Sequence, residues 1–118
     1  MNIQKTQGAV KKSFEFNYLD TDGNICADTV SLSIKRLSHR KAISDEFEAL
    51  YDGSEKNRER VAEIICDTLE SWNLEKDDKG TPLEITKDNA LDLDAGLAKR
   101  ISDAIIEVMA PNFQTAKN

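Results

Sequence analysis

Histidine, cysteine, proline and tryptophan are nearly missing from this chain. It has one histidine, two cysteines, two prolines and one tryptophan in 118 residues. His39, Cys26 and Cys66 stand far apart, so no Cys/His spacing suits a zinc site and no disulfide framework is written in the sequence. No Gly-rich segment matches a phosphate loop, a dinucleotide fingerprint or a nucleophile elbow. No apolar run approaches the ~20 residues that span a bilayer. Residues Met1 to Lys12 are polar and lack the apolar centre of a signal peptide, so the expectation is a cytosolic protein with free thiols. Positive charge is also in deficit, with 16 Lys and Arg against 22 Asp and Glu and a net charge of -6. That argues against nucleic acid, whose phosphates such a chain repels, and against an anionic membrane surface. A basic protein partner remains compatible with it.

The apolar residues that are present follow two periods. Phe14, Phe16 and Tyr18 alternate with Glu15 and Asn17, and Val30, Leu32 and Ile34 alternate with Ser31, Ser33 and Lys35. Alternation of this kind predicts two half-buried strands. The turn formers Asp20-Thr21-Asp22-Gly23-Asn24 lie between them, so the pair reads as a β-hairpin. Beyond Ser38 the period lengthens. Ile43, Phe47, Leu50 and Tyr51 mark one helix face, which Asp52-Gly53-Ser54 ends. Val61, Ile64, Ile65, Leu69 and Trp72 share the stripe of a second helix, for which Ser54 is a plausible N-cap. Residues 73–86 form a connection with a turn at Asp77-Asp78-Lys79-Gly80, and Pro82 forbids helix there. Leu83 and Ile85 alternate about Glu84 and suit a short strand, with Thr86 opening a turn or helix. A last helix starts near Asp92 or Asp94, carries Leu97, Ile101, Ala104, Ile105 and Val108 on one face, and stops before Pro111. The expected fold is α+β: an N-terminal antiparallel β-hairpin packed on three or so α-helices in one domain over 1–118. The ends, 1–12 and 112–118, read as flexible.

No catalytic residue, cofactor site or metal site is assigned. The Asp20 to Asn24 run resembles the start of a calcium loop, but the glycine such a loop needs falls at Ile25 and its bidentate acid at Ser31. A hairpin turn accounts for the same residues. Asp77, Asp78, Asp88, Asp92 and Asp94 lie in polar sequence where both members of any pair stay ionised, and Asp92 and Asp94 suit helix caps. His39 has no acid or cysteine at a helical spacing; Cys66 falls near an apolar stripe and Cys26 at a strand edge. Two residues stand out as partner contacts. Trp72 is of the type favoured in interface hot spots, and Phe113 follows Pro111 in a polar tail.

The stretch Trp72-Asn73-Leu74-Glu75-Lys76-Asp77-Asp78-Lys79-Gly80-Thr81-Pro82-Leu83-Glu84-Ile85-Thr86, between two apolar helices, resembles a segment of the tail assembly chaperones of long-tailed bacteriophages. There a Trp-[Asp/Asn]-Leu/Val precedes an acidic turn with Gly, then Pro and a Ser or Thr. The paired-strand start also suits that family. Two features depart from it: Glu84 stands where a second proline is common, and Leu91-Asp92-Leu93-Asp94 replaces a proline-rich lead into the last helix. The resemblance implies a non-catalytic chaperone in the bacterial host cytoplasm. It would bind the tape measure protein, help recruit tail tube subunits and self-associate weakly along its client. The competing reading is a minor structural protein of the phage head–tail region that stays in the virion.

Overall fold

The computed structural model describes residues 1–6, 8–36 and 58–109. The expected helix around Ile43 to Tyr51, the cap at Ser54, His39 and the tail with Phe113 lie outside the described residues.

Strands β1 (Ala9–Leu19) and β2 (Ile25–Lys35) form an antiparallel hairpin in continuous register from Ala9↔Lys35 to Leu19↔Ile25. In that register every even-numbered residue meets an even-numbered partner, so Phe14, Phe16, Val30, Leu32 and Ile34 share one face. β1 begins five residues before the alternation at Phe14 becomes apolar. Ala9 to Lys12, read as part of a loose arm, are paired strand, because Lys11 and Lys12 meet Ser33 and Leu32 and leave their charges at the surface. Ahead of β1, a 3-10 turn over Ile3–Thr6 is tied to the sheet by the Arg36 guanidinium, which donates to the Lys5 carbonyl.

Helix α1 (Arg58–Thr68) buries Ala62, Ile64, Ile65 and Thr68, and stops four residues before the end of its expected stripe. Leu69 to Trp72 are strand β3, antiparallel to β2 on the side away from β1. The misreading has a definite cause. Leu69 and Trp72 are three residues apart, a helical spacing, yet both side chains reach the core from a strand. A bulge makes that possible: Leu69 pairs with Ile34, Ser71 with Ser33 and Trp72 with Leu32, leaving Glu70 as the extra residue. At the helix end, the Thr68 hydroxyl donates to the Ile64 carbonyl at 2.7 Å.

After β3 the chain folds back on itself from Leu74 to Leu83, then forms the short helix α2 (Lys87–Leu91) and the long helix α3 (Ala95–Met109). Leu83 and Ile85 do not form the expected strand; one bridge, Glu75 to Pro82, is the extent of pairing in this arm. Thr86 caps α2, its hydroxyl accepting from the Asn89 amide at 3.1 Å, and Asp94 caps α3 by accepting from the Leu97 amide at 3.1 Å. One core joins all these elements. Ile34, Ile65, Ile101, Ile105 and Ile106 have essentially no exposed surface and meet between the sheet and the helices. Lys12 of β1 pairs with Glu107 of α3 at 3.0 Å, and the Arg100 guanidinium lies 4.6 Å above the Phe14 ring. Lys87 of α2 reaches Glu63 of α1 at 3.2 Å. The fold is thus the expected α+β arrangement, an N-terminal hairpin with helices, enlarged by a third strand.

Candidate functional site

The two acidic turns are built alike. In each, an aspartate stands three residues before a glycine with positive φ. Asp20 Oδ1 accepts from the amides of Asp22 and Asn24, both at 2.9 Å, with Gly23 at φ +83. Asp77 Oδ1 accepts from the amides of Lys79 and Thr81 at 2.9 and 3.1 Å, with Gly80 at φ +80. Donors aimed at a carboxylate stabilise its ionised form. The Asn24 amide above all holds Asp20 below the usual aspartate range, and Thr81, through its hydroxyl and then its amide, does the same for Asp77. In both turns the two amide donors meet at Oδ1, the hydrogen-bond pattern of an Asx turn. Among the described residues no group of three or more His, Cys, Asp or Glu side chains converges on a metal position.

Trp72 and Asn73 hold the 74–83 arm to the sheet. The half-buried Trp72 ring packs on the core, and its Nε1 donates to the Leu83 carbonyl at 2.6 Å. Asn73 bonds to β2 through both main chain and side chain. The contact that the structure gives Trp72 is therefore this internal clasp. Cys66 is half-buried, and burial first, then Asp67, pushes its thiol up, away from a reactive thiolate. Cys26 Sγ lies 3.8 Å from Asp20 Oδ2 beside the hairpin turn.

The distal end of the β1–β2 hairpin exposes large apolar residues beside the turn. Leu19 and Ile25 are cross-strand partners flanking the turn, 66% and 79% exposed. On the core-facing side, the Phe16 and Tyr18 rings stack with centroids 6.1 Å apart and planes 16° from parallel. Tyr18 donates its hydroxyl to Asp28 Oδ2 at 2.7 Å, and that bond raises the Tyr18 pKa. Between this aromatic wall, the 74–83 arm and the start of α3 runs an open groove of about 590 Å³. Leu74, Leu83, Leu93 and Leu97 line its other sides.

Leu19 and Ile25 were not singled out by periodicity, although the signal is local. Two large apolar residues directly flank Asp20 to Asn24, at positions where the odd-numbered face otherwise carries only Ala and the polar residues Ser, Thr, Lys, Glu and Asn. The groove had no sequence signal, because its hairpin wall lies more than 40 residues along the chain from the segments that face it. No helix among the described residues is long and apolar enough to cross a membrane. Comparison with protein-family models, with curated protein sequences and with solved structures finds no match.

Proposed function

We propose that this protein is a non-catalytic assembly factor that acts by binding protein, and that it serves as a tail assembly chaperone of a long-tailed phage in the bacterial cytoplasm. The observation that carries the binding function is the exposed Leu19–Ile25 pair at the free end of the hairpin. An apolar cross-strand pair left in water beside a turn contributes little to the fold, and contiguous exposed apolar surface marks interaction sites. The resemblance of Trp72 to Thr86 to the chaperone segment supplies the biological setting. The client in this reading is the tape measure protein, whose apolar helical stripes need screening before tail tube subunits assemble around it. Weak self-association follows from the same surface together with the edge strand β1, whose side away from β2 no strand pairs among the described residues.

The test is co-expression with a phage tape measure protein, with analytical centrifugation of the chain alone over a wide concentration range. The expected result is co-purification and a sedimentation coefficient that rises with concentration, both weakened in the double variant L19T/I25T. A strict monomer that leaves the tape measure protein unbound would remove this reading.

A further inference from the structure

We infer that the groove between the distal hairpin and the 74–83 arm is a docking site for a basic amphipathic helix of a partner protein. The inference rests on the protein-binding reading, not on the phage setting. Shape and charge carry it together. Half-buried apolar side chains, those of Phe16, Leu74, Leu83, Leu93 and Leu97, line one open channel. Three carboxylate residues, Asp28, Glu75 and Asp94, lie among the lining residues, and among the described residues no lysine or arginine does. An apolar channel with a rim of one sign fits a helix whose leucine-like residues recur at i, i+3, i+4 and i+7 and whose flanks are Lys or Arg. The net charge of -6 steers such a partner toward the protein.

Two of the rim charges are held by hydrogen bonds within the fold. Asp28 accepts the Tyr18 hydroxyl, and Asp94 accepts the Leu97 amide while capping α3. The Glu75 carboxylate folds over Gly80, close enough that a Cβ there would sit 2.9 Å from Oε2. Tyr18, 38% exposed, adds the amphipathic ring that interfaces favour.

The probe is a synthetic peptide of about 18 residues made of leucine and lysine in helical amphipathic order, with a leucine–glutamate peptide of the same pattern as control. Trp72, the only tryptophan and bonded to groove residue Leu83, reports binding by fluorescence, and amide shifts of Leu83, Leu93 and Leu97 locate it. The lysine peptide is expected to bind at the groove and the glutamate peptide not to bind. The exposed double variant D28K/E75K should weaken the lysine peptide about tenfold or more. D67K/E70K reverses two charges that do not line the groove and should leave affinity within about twofold of the parent. Circular dichroism confirms that both variants fold. Equal binding of the two peptides, an equal loss in both variants, or shifts confined to another face would overturn the groove while leaving the protein-binding reading standing. Concentration-dependent shifts of groove residues without peptide would assign the groove to a second copy of this chain, which also overturns the proposal. Failure to bind the tape measure protein, with the lysine peptide bound as described, would remove the phage setting alone.

Discussion

Asn73 and Ser31 are joined by one hydrogen bond from each residue's main-chain amide. The Asn73 N–H donates to the Ser31 carbonyl at 3.2 Å, and the Ser31 N–H donates to Asn73 Oδ1 at 2.9 Å. Asn73 Nδ2 completes the set by donating to the Thr29 carbonyl at 3.0 Å. The side-chain amide thereby continues the β2–β3 ladder one residue beyond Trp72, where β3 has ended.

Asn73→Ala should cost about 1–2 kcal/mol, since two hydrogen bonds at roughly 0.5–1.5 kcal/mol each disappear while water reaches the freed groups. Asn73→Asp should be no better, because the carboxylate keeps the Ser31 contact but faces the Thr29 carbonyl without a proton to donate. Urea unfolding measures the loss, and faster hydrogen exchange of the Ser31 amide localises it. An unchanged midpoint for both variants would show the ladder extension to be inert.

Ile65 is 1% exposed at the centre of the core. Ile65→Ala should destabilise by about 2–5 kcal/mol, the range for emptying a buried aliphatic site. A loss under about 0.5 kcal/mol in chemical unfolding, typical of surface positions, would mean that α1 does not face the core as described.

Trp72→Phe keeps an aromatic ring at the sheet edge and removes the donor to Leu83. The expected cost is about 1 kcal/mol. The readout is local: amide shifts from Leu74 to Leu83 should move while those of α3 beyond Ile101 stay in place. Movement spread evenly through the protein would argue against a clasp confined to this arm.

Gly23 and Gly80 share the left-handed backbone region, with φ of +83 and +80. Alanine at either should cost about 1–2 kcal/mol from backbone strain. Gly80→Ala additionally displaces the Glu75 carboxylate from its 2.9 Å approach, whereas nothing lies within 4 Å of a Cβ at Gly23. That carboxylate is the far end of a flexible side chain, so the two losses should fall within about 1 kcal/mol of each other. Asparagine, which tolerates this region, should be the milder replacement at both positions. Thermal melting compares the four variants.

Asp20 and Asp77 are held below their ordinary value of 3.8, and Glu63 below 4.5, the last chiefly by Arg60 and then Lys87. Carboxyls depressed in the folded state stabilise it above their ordinary pKa, and that stabilisation fades as pH falls through about 4 toward the folded values. Lys87, raised above 10.5 chiefly by Glu63, acts in the opposite sense: its contribution is complete at neutral pH and is lost only above that value. Stability should therefore be flat near neutrality and decline on the acid side. Asp20→Asn with Asp77→Asn keeps an acceptor at each turn but removes its titration, so the acid decline should become shallower. An acid limb unchanged in the double variant would place that dependence elsewhere.

The sequence determined what depends on neighbours along the chain. Alternation at Phe14 to Tyr18 and Val30 to Ile34, with Asp20 to Asn24 between, sufficed for the hairpin and its inward face, because strand period and turn chemistry are local. Thr86 and Asp94 were legible as caps for the same reason. Tertiary structure decided where one spacing served two conformations. Ile65, Leu69 and Trp72 read as a continuous helical stripe, but β2 offered an unpaired edge, and a bulge at Glu70 let Leu69 and Trp72 reach the core from a strand instead. The groove is the further case: Phe16, Leu74 and Leu97 become neighbours only once the sheet, the 74–83 arm and α3 have packed. Surface built from distant segments leaves no period in the sequence, so its shape and its one-signed rim exist only in the folded chain.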